Sequence, residues 1–461
     1  MNGKRQKTQL ELAFPANPKS EASRIEGEGI EPCMADHGTE NRKKTERLME
    51  EICEDENLRS ALKRVRTNKG APGVDGMKVQ ELPCYLEKNW LEIREKLITG
   101  TYKPQPVKRV EIPKPSGGLR KLGIPTVLDR LIQQMILEVL QPIFDPLFSD
   151  SSYGFRPGRS AHRAVARAQE YVTSGNGWVV DIDLEKFFDR VNHDMLMAKV
   201  AKEVEDKRLL KLIRAFLNAG VLENGLVQPS TEGTPQGGPL SPLLSNIFLN
   251  DLDKELERRG HRFVRYADDC NIYVQSERAG LRVMESISRF IAKKLKLKVN
   301  ESKSAVGLPH ERKFLSFTFT NEEKPRRRIA PVAKERFKDK VRKITRRNKG
   351  VSLDRMIKDL RPYIKGWLNY FGFIETPSVL KELDGWIRRR LRAVIWRQWK
   401  RGKVRFRELR KLGIGKNMAA TVAGSPHGPW RLSRTKAMSI AFPNLFFDSI
   451  GLPRLYSQST P

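Results

Sequence analysis

Cysteine is scarce in this chain: four residues in 461, namely Cys33, Cys53, Cys84 and Cys270. No two of them form a CxxC pair, which argues against a zinc ribbon or a disulfide framework and fits a reducing compartment. Long apolar runs are missing too. The N-terminus has no apolar h-region and no stretch approaches eighteen apolar residues, so neither a signal peptide nor a membrane span is expected. Acid is also short, with 55 Asp and Glu against 87 Lys and Arg, a formal net charge of +32. The shortfall is deepest from residue 321 onward, where 35 basic residues face 11 acidic ones. A field of that sign and density steers polyanions and binds them in a salt-dependent way. The plain alternative is a surface that is merely soluble.

What acid there is falls in telling places. Tyr266-Ala267-Asp268-Asp269 sits between Arg262-Phe263-Val264-Arg265 and Cys270-Asn271-Ile272-Tyr273-Val274. Two short apolar runs around a tight acidic turn read as a β-hairpin with adjacent carboxylates at its tip. Like charges side by side repel, so the pair makes sense if a divalent cation lies between it and something anionic. Taken alone, a solvated acidic turn is the plain alternative. A second acidic strand, Val179-Val180-Asp181-Ile182-Asp183-Leu184-Glu185, shifts the balance. Asp183 ends an apolar strand there, while Asp181 and Asp189 compete for its role and spacing does not exclude them. Magnesium is usually held by one or two carboxylates plus substrate phosphates. Two such ions clamp the attacking and leaving oxygens of an in-line phosphoryl transfer.

The length allows two to four domains, each with its own core, and no internal repeat is found. Residues 1–40, poor in apolar periodicity, are expected to form a disordered tail. Leu48, Met49 and Ile52, then Leu58, Leu62 and Val65, have helical spacing, and Lys69-Gly70 and Pro72-Gly73 signal turns. They predict a helical N-terminal extension over 41–105. Ile112 to Pro125 reads as a strand, a Pro-Ser-Gly-Gly turn and a returning strand, followed by a helix over Val127–Leu140. Helical segments at Leu209–Phe216 and Arg282–Leu295 complete an α+β palm with the acidic strands. Past the basic run Lys324 to Arg328 the chain turns helical, with a buried stripe from Leu353 to Phe371. Pro362 is expected to start or kink a helix. Over Val379–Lys400, Leu380, Leu383, Ile387, Leu391 and Val394 oppose Arg388, Arg389, Arg390, Arg392 and Arg397. That basic ridge suits phosphate backbones, whereas Trp367 and Trp396 are not read as base-stacking platforms.

From about residue 65 to the end, the chain resembles the group II intron-encoded reverse transcriptases and maturases. Seven blocks occur in the family's order. They are Asn68-Lys69-Gly70-Ala71-Pro72-Gly73-Val74-Asp75-Gly76, the fingers hairpin Ile112 to Pro125, and Tyr153-Gly154-Phe155-Arg156-Pro157-Gly158-Arg159-Ser160. Asp183 to Asp189, Thr234-Pro235-Gln236-Gly237-Gly238-Pro239-Leu240-Ser241-Pro242, the Tyr-Ala-Asp-Asp hairpin and Leu297-Lys298-Val299-Asn300-Glu301-Ser302-Lys303 follow. Tyr363-Ile364-Lys365-Gly366-Trp367-Leu368-Asn369-Tyr370-Phe371 is similar to the maturase run. Ser316 stands where the family usually has glycine, which puts the local packing of that strand in doubt.

The resemblance implies a right-hand polymerase, α+β in its fingers and palm (106–320). A basic stretch over 321–345 would open the thumb, and an α-helical thumb and maturase domain would fill 346–461. It implies that Asp183, Asp268 and Asp269 are the catalytic carboxylates holding two magnesium ions, with the Leu184 carbonyl an extra ligand. Lys114 and Arg120 would clamp the triphosphate, a point charge beside a planar fork. Phe187 or Phe188 would exclude the ribose 2′-hydroxyl, adjacent strand residues pointing to opposite faces, and Gln236 would line the nucleotide pocket. Arg388, Arg389, Arg390 and Lys365 are the expected RNA contacts. The implied partners are a group II intron RNA, an RNA template with a DNA primer, deoxynucleoside triphosphates and target DNA. No membrane is involved, and a homodimer is left open. The expected setting is bacterial cytoplasm, as a nucleoid-associated ribonucleoprotein. No cysteine follows Cys270 and only His310 and His427 come later, so the cysteine- and histidine-rich endonuclease domain of many relatives is not expected. A nick, a fork or a hairpin would then supply the primer. Two other readings are a maturase with a vestigial polymerase and a domesticated enzyme of DNA repair or phage defence.

Overall fold

The computed structural model describes residues 46–113, 118–223, 226–228, 232–233, 237–346 and 350–456. They fall into two compact units, each built from separated segments. The first takes the described residues of Met1–Asp150, Glu185–Glu255 and Lys293–Leu297; the second takes those of Ser151–Leu184, Leu256–Ala292 and Lys298–Pro461. The expected disordered tail lies outside the described residues. In chain order the strands are β1 Val107–Pro113, β2 Leu119–Ile124, β3 Trp178–Ile182, β4 Val221–Glu223, β5 Leu226–Gln228, β6 Arg262–Tyr266, β7 Asp269–Val274, β8 Ala305–Gly307, β9 Phe317–Phe319 and β10 Arg327–Ile329.

In the first unit β1 and β2 form the expected hairpin, Pro113 opposite Leu119, in a sheet ordered β2-β1-β4-β5. The next helix runs Val127–Phe144 because Thr126 ends the strand connection with a hydroxyl that accepts from the Asp129 amide at 3.0 Å. Its apolar stripe is buried, including Leu131, Ile132, Met135 and Ile136. Asp206 caps the Lys207–Asn218 helix and also accepts from the Met49 amide at 3.0 Å, which ties the N-terminal Leu48–Ile52 turn to that helix.

The second unit is organised by an antiparallel sheet ordered β6-β7-β3-β8. Its register pairs Ile182 with Cys270 and Tyr266 with Asp269. Residues opposite one another share a face and alternate along a strand, so Val179 and Asp181 lie on the same face as Tyr273, Asn271 and Asp269. One end of this face is apolar and the other acidic. The apolar end enters a core with the C-terminal helices: Val179, Val264 and Tyr273 belong to the same buried cluster as Phe317, Phe337, Ile364, Leu383, Leu391 and Trp396. Trp367 is buried as well, in accord with its assignment to the core. The strand stops at Ile182, one residue short of Asp183.

Two local expectations change. The Leu353–Phe371 helix runs continuously through Pro362, so the proline does not start it. Leu315 and Ser316 both take positive φ, 49° and 68°, between Phe314 and Phe317. Those phenylalanines exchange both backbone hydrogen bonds at 2.9 Å, the pattern of a tight two-residue hairpin turn that favours glycine. The family glycine replaced by Ser316 thus has a backbone reason. Among the described residues no helix is long and apolar enough to cross a membrane.

Ser316→Gly is expected to stabilise the protein by about 0.5–1 kcal/mol, the left-handed penalty less glycine's entropy cost. A rise in the denaturant midpoint checks it; a fall would mean that the serine side chain is needed there.

Candidate active site

The acidic hairpin is held from below. Ala267, the first turn residue, has φ 58°, an unfavourable region for a residue with a Cβ. Arg265, fully buried as the penultimate residue of β6, donates from Nη1 to the Ala267 carbonyl at 2.9 Å and from Nη2 to Ser152 Oγ at 2.8 Å. Its own backbone is paired on both sides, accepting from the Tyr153 amide at 2.8 Å and donating to the Ser151 carbonyl at 2.9 Å. Gly154 comes next, so close beneath the turn that any side chain there would collide with the Ala267 nitrogen. The Tyr153-Gly154-Phe155 block is therefore the floor of the turn, a role that its sequence alone did not disclose.

Asp268 occupies the turn and Asp269 begins β7. Asp183 follows β3, its amide donating to Ser304 Oγ at 2.9 Å and its carbonyl accepting from the Asn300 amide at 2.8 Å. Lys303 places Nζ 3.4 Å from both Asp183 carboxylate oxygens. The Leu184 side chain is buried and its backbone bridges to Val299. Asp181 is distinguished from Asp183 by its partner: Arg312 donates to it at 2.6 Å and to the Lys303 carbonyl at 2.9 Å. Burial still raises the Asp181 pKa. Asp189 belongs to the Phe187–Arg190 turn of the first unit.

Asp269 carries the strain of this crowding. The protein packed around its carboxyl, and then the charges of Asp268, Asp181 and Asp183, push its pKa up to about 7. Asp269 nonetheless keeps one side open to solvent, as a site that admits an ion requires. Among the described residues no three His, Cys, Asp or Glu close a metal cage by themselves. The donor set still suits magnesium, which takes hard oxygens from few carboxylates and completes its shell from phosphates and water.

Of the nucleotide-contact candidates, Arg120, Phe187 and Phe188 belong to the first unit. Phe187 and Phe188 lie in a helical turn instead of a strand, so alternation between faces does not separate them; depth does. Phe187 is buried against Phe248, whereas Phe188 is half-buried and meets Phe187 edge-on at 5.2 Å. Lys114 and Gln236 lie outside the described residues. The Arg120 backbone pairs opposite Ile112. Beside Gln236, Gly237 has φ 129° and its Cα lies so near the Gly123 carbonyl that a Cβ would come within 2.5 Å of that oxygen.

The expected basic ridge is corrected at Arg388. Arg388 is completely buried, bound to Asp384 at 2.7 Å, to Asp448 at 2.9 Å and to the Asn444 carbonyl at 2.9 Å. It is an internal ion pair with no surface for RNA. Arg389 donates to the Trp430 carbonyl at 3.1 Å and Arg390 to Thr345 Oγ1 at 2.5 Å, and both are half-buried. Of the four expected RNA contacts only Lys365 is exposed.

An antiparallel sheet that raises a carboxylate pair on a hairpin beside a third aspartate is the palm of a template-directed polymerase in outline. Comparison with known proteins makes this specific. The reverse transcriptase (RNA-dependent DNA polymerase) family model matches residues 112–319, and the maturase-specific domain of group II introns matches residues 334–413. Protein YkfC of Escherichia coli (strain K12) is 34% identical over 305 residues, covering 58% of this chain and 80% of YkfC. The group II intron-encoded protein LtrA of Lactococcus lactis subsp. cremoris is 32% identical over 311 residues, covering 53% of this chain and 52% of LtrA. A putative COX1/OXI3 intron 2 protein of Saccharomyces cerevisiae is 32% identical over 244 residues, covering 51% of this chain and 27% of that protein. The chain belongs to the group II intron reverse transcriptase and maturase family, and it spans about half the length of LtrA.

Two outcomes follow from the geometry. The folded state keeps the Asp269 proton up to about pH 7, whereas an unfolded chain releases it near 4. Folding stability without metal therefore falls as pH rises through that window. Asp269→Asn is expected to melt with the parent below about pH 4 and increasingly above it up to about pH 7, with a constant gap beyond. Equal melting at pH 8 would show that the carboxylates do not strain one another. Arg265→Lys keeps the charge but loses the two-armed reach, and is expected to slow primer extension about 10- to 100-fold through misplacement of the turn. The nucleotide KM should stay near the parent's; a change in KM alone would place Arg265 outside the positioning of the turn.

Proposed function

We propose that the protein extends a DNA primer on an RNA template and binds a group II intron RNA to assist its splicing and mobility, target DNA included. Asp183, Asp268 and Asp269 bind two magnesium ions, with the Leu184 carbonyl as an added oxygen. Bound there, the metal supplies charge neutralisation for the attacking 3′-hydroxyl and the leaving pyrophosphate. The placement of Asp268 and Asp269 at the hairpin with Asp183 at the end of the neighbouring strand carries this reading; burial and then the neighbouring carboxylates push the Asp269 pKa up to about 7, a cost that a bound cation would relieve. Lys303 Nζ, 3.4 Å from the Asp183 carboxylate, offsets part of its charge. Phe188, the less buried of the pair, excludes the 2′-hydroxyl. Lys114 and Arg120 orient the triphosphate, and Gln236 lines its pocket. In chain order, 41–105 is an N-terminal extension, 106–320 fingers and palm, 321–345 the start of the thumb, and 346–461 thumb and maturase domain. The intron RNA lies along exposed cations such as Lys365.

Primer extension on a DNA-primed RNA template, with magnesium and all four deoxynucleotides, tests this. The parent is expected to extend the primer and Asp268→Ala to give no detectable product, with RNA affinity nearly unchanged. No extension by either, with RNA still tightly bound, would replace the polymerase reading by that of a maturase alone. Loss of RNA binding in Asp268→Ala would sink the separation of the two activities.

A further inference from the structure

Residues 414–456 lie beyond both matched family models. Their one acidic residue, Asp448, is already held by Arg388 at 2.9 Å and Arg454 at 2.5 Å. Lys416, Arg431, Arg434 and Lys436 have no ion-pair partner among the described residues, and all four are exposed. Positive charge left uncompensated on this scale invites an anion. In its midst Trp430 is 39% exposed. The Arg389 guanidinium lies 4.0 Å from the centre of its ring and so covers one face. With a guanidinium over one face, the exposed part of the indole is what a ligand can reach. Ser433 Oγ and Arg389 Nη2 both donate to the Trp430 carbonyl, at 2.7 and 3.1 Å, which fixes the residue's backbone. Arg434 comes four residues after Trp430, its amide donating to the Arg431 carbonyl at 3.2 Å, and after burial its like charge lowers the Arg389 pKa.

We infer that Trp430, Arg389 and Arg434 form a binding site for one nucleotide of a single strand, the base stacking on the free indole face and the phosphate lying between the guanidiniums. A flat ring backed by a cation, beside unpaired cations, is the arrangement that holds single strands without reading their sequence. A protein surface docking on Trp430 would have to accept the unpaired Arg431, Arg434 and Lys436 around it, and a phosphate backbone meets that demand at every residue. The inference goes beyond the polymerase reading and uses no step of it.

The test is fluorescence anisotropy of the full chain with unstructured labelled oligouridylate and oligothymidylate of about twelve residues, and with abasic strands of the same length. Trp430→Ala is expected to weaken binding of the base-bearing strands about tenfold and to spare the abasic ones. Trp430→Phe should bind much as the parent does. Arg434→Ser should weaken all strands and reduce the salt slope by about 1. These two variants keep the test open should Trp430→Ala fail to fold. Loss on RNA alone assigns a reader of the 2′-hydroxyl, and loss on both strands assigns any single strand; either supports the site. Unchanged binding by Trp430→Ala, or equal loss on abasic strands, overturns it. Primer extension by the same preparations separates the two readings. Extension with no Trp430 effect defeats this site alone, and a Trp430 effect without extension defeats the polymerase alone.

Discussion

Repulsion among carboxylates at one end of a single sheet face is the constraint on which the second unit depends. Asp181 shares that face with Asn271 by register, Asp183 follows just past the strand, and Asp269 and Asp268 come at the hairpin turn. Nothing in a folded chain favours that arrangement by itself, since each added negative charge disfavours the others. Three devices oppose it. Arg312 neutralises Asp181, Lys303 approaches Asp183, and Arg265 binds the turn through its carbonyl, at no cost to the acidic groups themselves. Among the described residues Asp269 has no comparable ion-pair partner, and burial of its carboxyl, then the neighbouring charges, raises its pKa.

The same face explains why the C-terminal helices and the acidic strands lie in one unit despite their distance along the chain. Val179 and Tyr273, one or two pairs from the acids, are buried with Phe317, Ile364 and Leu383. Removal of apolar surface from water at that end is the force that can hold like charges together at the other. Arg327 adds a polar fastening, reaching Glu375 and Gln169 at 3.0 Å while lying 3.8 Å from the Phe373 ring centre.

Much of this was legible from residue order because the signals are local. The Tyr266 hairpin, the Val127 helix and the Leu353–Phe371 stripe each rest on spacing within 19 residues or fewer, and each is found. The positions that were misread depend on partners far along the chain. Arg388 looked like part of an exposed ridge because Ile387 and Leu391 marked the opposite side; Asp448 and Asn444, some sixty residues later, cover it. Phe187 and Phe188 were assigned to a strand whose regular pairing ends at Ile182. Arg265 and Gly154 gave no signal, since a buried arginine under a turn and a glycine against a nitrogen are visible only once two segments meet. Ser316 was noticed by its departure from the family, but its positive φ is a property of the folded turn.

Calorimetric titration of the metal-free protein with magnesium at about pH 6.5, in two buffers of different ionisation enthalpy, tests the charge crowding most directly. If Asp269 holds a proton that the cation displaces, the apparent heat will differ between buffers by the heat of releasing part of one proton, and Asp269→Asn will show no such difference. Identical heats in both buffers, with magnesium bound, would show that the carboxylates were already ionised and contradict the strain assigned to the site.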